Sequence, residues 1–247
     1  MSLVAIILLS HPFFRRLAYE IFLRTHQGLT AVCVYLTWRH LPSEAIFPRI
    51  YIYVPLVILL MTTVIYILIF AYRNGVLPPR PYPRVSVANI KDAKSRLLNN
   101  DAQEGKPLKI RVALPRPLKV KAGQYVNLWM PTVSLSSWTQ SHPFMVTSWS
   151  PGTQDVLELF VQVRRGLTEK LRLRADFDGF ASFTAFVSGP HGLSEPVDQY
   201  ESVLAIASGF GLARVIPYVK QLLYGYNTST SRIRRVHFVW QVQSLGK

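Results

Sequence analysis

Two histidines lie 14 residues apart (40 − 26) in an otherwise mostly apolar stretch, THQGLTAVCVYLTWRH, that begins at Thr25 and ends at His40. An α-helix turns about 100° and rises about 1.5 Å per residue, so this spacing gives roughly four turns and about 21 Å. The side chains of His26 and His40 therefore point the same way at two levels of the predicted helix. They could be ligands of two cofactors stacked along the helix, or ordinary buried histidines.

A second group of residues could bind a flat, phosphorylated ligand. The triplet His142, Pro143 and Phe144 begins a predicted strand and provides an imidazole and an aromatic ring as a platform. About twenty residues later, Gly166 and Thr168 precede a short predicted helix, where a hydroxyl and free N–H groups could hold a phosphate. A flavin dinucleotide needs a ring platform and a phosphate anchor of this kind. A turn with core aromatics would give the same pattern.

Two glycine loops follow toward the C-terminus. The sequence SGFGLARVIPYV comes after a predicted strand and begins a predicted helix, so Gly209 and Gly211 would let the backbone approach a pyrophosphate. Arg214 replaces the third glycine of the dinucleotide-binding pattern, and an ordinary tight turn remains the alternative interpretation. A further loop, GPHG, consists of Gly189, Pro190, His191 and Gly192.

The elements that must position these residues begin with membrane helices. Hydrophobic residues make up 49% of the 247-residue chain, and the mean hydropathy is +0.19. From Tyr51 to Tyr72 there are 22 residues without a formal charge, enough to cross a hydrocarbon core of about 30 Å. A second, less apolar span is predicted over about 17–40, with Glu20, Arg24 and His26 near its start. Ionisable groups in such a segment usually face the interior of a helix bundle.

The charge is unevenly distributed along the chain. The net charge is +15, of which +3 lies before Arg73 and +12 from Arg73 onward. The positive-inside tendency therefore predicts a cytoplasmic location for residues 73–247 and an external location for the loop 39–50. The basic stretch after the span also suits anionic lipid headgroups. Nucleic-acid binding is not expected, since no stacking motif or zinc spacing accompanies the charge. The single cysteine, Cys33, excludes an intramolecular disulfide.

The chain is predicted to have four regions. Residues 1–72 form the helical membrane region and residues 73–84 a Pro- and Gly-rich linker. Residues 85–198 contain short runs rich in β-branched and aromatic residues, which indicate an antiparallel barrel or sandwich. Residues 199–247 predict a strand, a glycine turn, a helix and a second strand, which together make a βαβ unit with a parallel strand pair.

Five stretches follow the histidine pair in this order: KAGQYVNLWMP, QSHPFMVTSW, VRRGLTEKL, SGPHGL and VLAIASGFGLARVIPYVKQLL. Together they resemble the fungal ferric reductases, which are relatives of the NADPH oxidases. The resemblance covers essentially the whole chain. It implies transmembrane helices followed by a ferredoxin-reductase-like antiparallel β-barrel for FAD and the beginning of an α/β nucleotide-binding domain. It also implies electron transfer from NADPH through FAD and b-type haem to external ferric or cupric ion.

The same resemblance implies roles for the candidate residues, none of them as a catalytic side chain. His26 would ligate an inner haem and His40 an outer one, since imidazole is a suitable axial ligand. The triplet 142–144 would lie against the flavin, with Gly166 and Thr168 near its pyrophosphate. Pyridine nucleotide would contact the two glycine loops: Gly189, Pro190, His191 and Gly192, with Gly209 and Gly211.

Three departures from the family pattern qualify these expectations. The chain contains no second histidine pair, so the facing helix must come from missing transmembrane segments or a partner subunit. About 48 residues (200–247) cannot form a complete doubly wound domain, and the chain is therefore expected to be a fragment or truncated product. Met145 follows the His-Pro-Phe triplet where relatives commonly have Ser or Thr, so a hydroxyl that could bond the flavin is lost.

Two functional hypotheses remain from the sequence. In the first, the chain is part of a multi-pass membrane oxidoreductase, expected in the plasma membrane with its flavin domain in the cytoplasm. In the second, it is a catalytically inactive, membrane-anchored remnant. In the oxidoreductase hypothesis, molecular oxygen is an alternative electron acceptor to a metal ion, as in superoxide-producing NADPH oxidases.

Overall fold

The computed structural model describes residues 19–42, 46–89, 107–138, 140–164, 166–178 and 181–242. The chain divides into two compact units, residues 1–67 and 68–247. The N-terminal residues 1–18, including Arg15, Arg16 and the start of the span predicted over 17–40, lie outside the described residues.

Two long helices occupy the first part of the chain. Helix α1 extends over Tyr19–His40 and helix α2 over Ile46–Arg73. Among the described residues, one helical segment, Arg49–Arg73, is long and apolar enough to cross a membrane, with a mean hydropathy of 2.7 and 6% of its most apolar window buried within the protein. This segment contains the predicted span 51–72. Helix α1 confirms the predicted helix, but its described residues are not such a segment, and the second membrane crossing stays a prediction.

The second unit contains two antiparallel sheets. The four-stranded sheet has the order β5-β2-β1-β6 and the three-stranded sheet the order β4-β3-β7. Their strands follow the predicted apolar runs, although the run at 183–190 is divided between β6 and β7. The bounds are β1 Arg84–Asn89, β2 Pro107–Leu118, β3 Tyr125–Trp129, β4 Ser141–Met145, β5 Gln154–Gln162, β6 Ala181–Thr184 and β7 Phe186–His191.

Alternation of side chains creates the core of these sheets. Successive residues of a strand point to opposite faces, and in β3 the buried residues are Val126 and Leu128. One continuous apolar cluster joins these residues to the inward side chains of β1, β2 and β5. Helix α3, Leu167–Asp178, contributes Leu171, which is fully buried in this cluster.

The C-terminal part has the predicted strand, helix and strand. Strand β8 extends over Ser202–Ser208, helix α4 over Leu212–Asn227 and strand β9 over Arg235–Gln241. Strands β8 and β9 pair in parallel. Parallel strands need a crossover connection, and α4 is that connection.

The segment after α2 is anchored to the three-stranded sheet. Asn74, the first residue after the helix, is fully buried, and its side chain forms hydrogen bonds with the backbone of Val187. Arg116 donates to the carbonyl oxygen of Tyr72, with an Nε–O distance of 2.8 Å. Helix α2 ends at the start of the Pro- and Gly-rich linker, and the first residues of this linker are packed on the sheet.

Candidate functional site

The main candidate site is an open cavity of about 520 Å³ in the second unit. Three separate segments line it: strand β4, the turn from the end of β5 into α3, and the glycine loop before α4. The lining residues are His142, Pro143, Phe144, Met145, Phe160, Val161, Gln162, Arg164, Leu167, Thr168, Phe210 and Ala213. The fold therefore brings together parts of three motifs that are up to about 70 residues apart in sequence.

Strand β4 forms one wall of the cavity. His142 and Pro143 pair with Leu128 and Asn127 of β3, which fixes the triplet, on an edge strand, against the central strand of its sheet. Phe144 is 8% exposed, and Pro143 is the most open of the three. The half-buried Met145 side chain, instead of a hydroxyl, continues this wall. The wall is consequently apolar apart from the imidazole.

The turn before α3 forms the polar end of the cavity. Gly166 has φ +103°, which favours glycine, and does not itself line the cavity. Helix α3 begins at Leu167, so Thr168 lies in its first turn. The sequence had predicted that Thr168 precedes the helix. The Thr168 hydroxyl donates to the Arg164 carbonyl oxygen and accepts from the Arg164 N–H, both at 2.8 Å.

This hydrogen bonding changes the expected role of Thr168. Its hydroxyl holds the turn together, so the groups offered to an anion are the Arg164 guanidinium and the N–H groups of the first helical turn. A helix N-terminus carries about half a positive charge, and a guanidinium can form two parallel hydrogen bonds with a phosphate. This end of the cavity has the chemistry of a phosphate site.

The glycine loop before α4 provides a third wall. Gly209 has φ +51°, and its carbonyl oxygen accepts a hydrogen bond of 3.1 Å from the Trp240 indole N–H. Between Gly209 and Gly211, the Phe210 ring stacks on Phe160 of β5 with a centroid distance of 5.4 Å. The loop thus reaches the cavity through Phe210 and not through the glycines themselves.

The GPHG loop lies at a different place. Gly189, Pro190, His191 and Gly192 do not line the cavity described above. His191 ends β7, opposite Tyr125, and its Nε2 is 3.1 Å from Ser188 Oγ. Arg73 donates a hydrogen bond to the carbonyl oxygen of Gly189. The structure therefore does not gather the two glycine loops around one cavity.

His26 and His40 both belong to α1. The helix is continuous between them, as the spacing predicted, and His40 is its last residue. Phe22 lies next to His26 with a ring centroid distance of 5.6 Å, and His26 Nδ1 is buried without a hydrogen-bond partner among the described residues. His40 is exposed. A buried imidazole nitrogen and an open one, on one helix, are compatible with ligand roles.

One carboxyl group near these sheets has a shifted pKa. The hydrogen bond from the Lys109 ammonium, with help from Arg111, holds the pKa of Glu158 below its usual value, although partial burial acts in the opposite direction. The ammonium nitrogen is 2.9 Å and the guanidinium nitrogen 3.1 Å from Glu158 Oε1. Glu158 does not line the cavity, so this ion-pair cluster is structural.

Several cavity residues were not identified from the sequence, among them Arg164, Phe160 and Phe210. Arg164 belongs to the stretch VRRGLTEKL. A cation next to a glycine turn before a helix is a sequence signal for phosphate binding. Phe160 and Phe210 gave no such signal, because an aromatic residue in a strand or loop is usually a packing residue. Their encounter depends on the packing of the βαβ unit against β5.

The chain is similar to several known proteins. A family model described as an FAD-binding domain matches residues 88–195. The chain is 29% identical over 214 residues to ferric/cupric reductase transmembrane component 2 of Saccharomyces cerevisiae, covering 86% of this chain and 27% of the relative. It is 30% identical over 151 residues to the heavy chain of a superoxide-generating NADPH oxidase of Dictyostelium discoideum, covering 54% of this chain and 28% of the relative.

Among solved structures, the Amycolatopsis cytochrome P450 reductase GcoB is similar over 67% of this chain and 45% of its own length, with 24% identity and a TM-score of 0.44. The chain spans about a quarter of the length of the two relatives named above.

Proposed function

Because the chain belongs to the family of ferric reductases and NADPH oxidases, we propose that it is the flavin-binding part of a membrane oxidoreductase. In this proposal, NADPH reduces FAD, and electrons leave through b-type haem to external ferric or cupric ion. A flavin is needed because a nicotinamide gives two electrons at once and a haem accepts one.

The cavity lined by β4, Arg164 and Phe210 is the observation that carries the proposal. One end has apolar and aromatic walls suited to a flat ring, and the other end has a guanidinium and a helix N-terminus suited to a pyrophosphate. A volume of about 520 Å³ is in the range of cofactor pockets. The residues present therefore fit FAD.

Each part of the cavity would have its own role toward FAD. His142, Pro143 and Phe144 would contact the ring system, while Arg164 and the first turn of α3 would hold the pyrophosphate. Gly166 would permit the turn, and Thr168 would fix its shape through the backbone of Arg164. The loop Gly209–Gly211 would lie on the side from which NADPH approaches, and the GPHG loop would be a second contact for the nucleotide.

For haem, the fit rests on α1. His26 and His40 would each supply one imidazole nitrogen to a haem iron, and haem would supply one-electron transfer across the membrane. Each imidazole would be a single ligand, and α2 contains no histidine. The second ligands would therefore come from other transmembrane helices or from a partner subunit. Helix α2 would anchor the chain in lipid, in the plasma membrane, with the flavin unit on the cytoplasmic side.

Molecular oxygen is the second candidate acceptor, favoured by the similarity to a superoxide-generating NADPH oxidase. An inactive, flavin-binding remnant is the third possibility, favoured by Met145 at the ring wall. These alternatives differ in what happens after flavin reduction, so one set of assays separates them.

The test uses the whole chain in membranes of cells without ferric reductase activity. We expect NADPH to bleach the bound flavin, and we expect a b-type haem spectrum only when transmembrane helices with a second histidine pair are co-expressed. In that assembly, ferric reduction should require His26 and His40, whereas flavin bleaching should not. Bound flavin that passes electrons neither to ferric ion nor to oxygen in that assembly would establish the remnant. Loss of ferric reduction on adding superoxide dismutase would establish oxygen as the acceptor.

A further inference from the structure

Phe210 occupies an unusual position at the aromatic end of the cavity. Its ring stacks on that of Phe160, with a centroid distance of 5.4 Å and an interplanar angle of 23°. Both rings line the cavity and both are half-buried. Neither belongs to the continuous buried core of the two sheets. The contact joins the loop before α4 to the flavin-side strand β5.

The two rings leave no space for a third ring between them. Carbon atoms in contact are about 3.5 Å apart, so a flat ring inserted between two others needs about 7 Å. The observed separation is 5.4 Å. In this conformation, a planar ligand cannot lie on the face of Phe160 that Phe210 covers.

The glycines on both sides of Phe210 have open space around them. A Cβ atom added at Gly209 or Gly211 would meet nothing within 4 Å, so the backbone on both sides of Phe210 has open space. Gly209 has a positive φ, which glycine adopts at no steric cost. The Trp240 indole N–H holds the carbonyl oxygen of Gly209. The loop is thus held at its base, and the space around its two glycines leaves room for the central side chain to turn.

We propose that Phe210 controls access of the nicotinamide ring to the flavin. When Phe210 rests on Phe160, it closes the side of the cavity that belongs to the nucleotide-binding part; a hydride donor reaches the flavin only after the ring has turned away. This inference rests on the proposed function, since it requires FAD in the cavity. In the step that is controlled, the dihydronicotinamide loses a hydride and becomes a pyridinium, and the flavin gains that hydride and one proton from solvent.

A small hydride donor separates ring access from the rest of nucleotide binding. We suggest 1-benzyl-1,4-dihydronicotinamide, which has the reacting ring and no phosphate, with the FAD-loaded whole chain under anaerobic conditions. Phe210→Ala should be reduced about 2- to 12-fold faster than the original chain, the factor equivalent to one aromatic pair. Phe160→Ala removes the same contact from the other side and should behave alike. Leu223→Ala, at an exposed position of α4, is the matched control and should change nothing.

Two further readouts do not depend on turnover. FAD affinity should change less than about twofold in Phe210→Ala, because the ring leaves the pyrophosphate end untouched. Quenching of bound-flavin fluorescence by acrylamide should increase in Phe210→Ala and in Phe160→Ala, since one side of the flavin becomes open.

The outcomes are distinguishable. Bound FAD with unchanged quenching and unchanged reduction in both phenylalanine variants would overturn the access role. Slower reduction in Phe210→Ala would also overturn it, because the ring would then position the donor. If the original chain, correctly folded, binds no FAD, the proposed function fails and the access role fails with it.

Discussion

The side-chain amide of Asn74 forms hydrogen bonds with both backbone polar groups of Val187. The Val187 N–H donates to Asn74 Oδ1 at 2.7 Å, and Asn74 Nδ2 donates to the Val187 carbonyl oxygen at 3.0 Å. Strand β7 is at the edge of its sheet, and the amide satisfies the two groups that a neighbouring strand would otherwise satisfy. Asn74 Nδ2 also donates to the carbonyl oxygen of Phe70 in the last turns of α2, at 2.9 Å.

Asn74→Ala should strongly destabilise the second unit. The side chain is fully buried, so its loss leaves the N–H and C=O of Val187 without partners, at about 1–3 kcal/mol for each group. We expect a lower midpoint in urea unfolding of the detergent-solubilised chain. Asn227→Ala, at an exposed residue of α4, is the matched control. Equal midpoints for the two variants would show that the amide pairing contributes nothing to stability.

Gly123→Ala should weaken the packing of α4 against the turn before β3. The added Cβ would lie 2.8 Å from two ring carbons of Tyr218 and closer still to its hydroxyl oxygen, and the φ of +80° is unfavourable for alanine. That hydroxyl accepts a hydrogen bond from the Glu195 N–H at 3.1 Å, so its displacement costs a contact as well. Backbone strain of this kind costs about 1–3 kcal/mol, measured as a lower melting temperature.

Gly152→Ala is the control for that prediction. Its Cβ would meet nothing within 4 Å and its φ is not in the positive region. The melting temperature should stay within the error of the original chain. A Gly123→Ala variant as stable as Gly152→Ala would contradict the described position of Tyr218.

Glu158→Gln should destabilise the chain in a pH-dependent way. Because the pKa of Glu158 is lowered in the folded state, chiefly by Lys109, its contribution to stability is present above the unfolded value of about 4.5 and disappears as pH falls through the folded pKa. At neutral pH we expect a loss below about 1 kcal/mol, since the pair is partly solvated. Asp155→Asn, on the same strand, is the control. A difference that persists unchanged in strong acid would contradict the ion-pair explanation.

Met61→Arg should impair membrane insertion of α2. Met61 is near the middle of the segment Arg49–Arg73, where an arginine costs about 2.5–3.5 kcal/mol on insertion. We expect a larger fraction of the protein to be extracted by alkaline carbonate. Tyr51→Arg, close to the end of the segment, should behave like the original chain, because the side chain can reach the interface. Equal extraction of the two variants would contradict a transmembrane α2.

The sequence predicted the elements better than the contacts between them. Strands β2, β3, β5 and β8 follow apolar alternation or continuous apolar runs, which are local patterns. Helix α4 was predicted for the same reason. The pairing of Asn74 with Val187 could not be predicted, because the two residues are 113 positions apart and no local sequence pattern links them.

In the candidate site, too, the motifs were easier to predict from the sequence than the contacts between them. The His142–Phe144 triplet and the turn around Gly166 were recognised as motifs, and the structure brings the triplet and Thr168 to one cavity. The role of Thr168 was different from the expectation because its hydroxyl bonds the backbone of Arg164, a local geometry that residue type does not reveal. Phe210 reaches the cavity only through long-range packing.

Titration of FAD is the most direct test of whether the cavity is a flavin site. Purified chain should quench FAD fluorescence saturably, with one FAD per chain. Arg164→Ala should weaken binding about 10- to 100-fold, since a charge-assisted hydrogen bond to phosphate is lost. Arg174→Ala, an exposed residue of α3, should bind like the original chain. No saturable quenching by a chain whose circular dichroism shows the native fold, or equal affinity in the two arginine variants, would contradict FAD binding in this cavity.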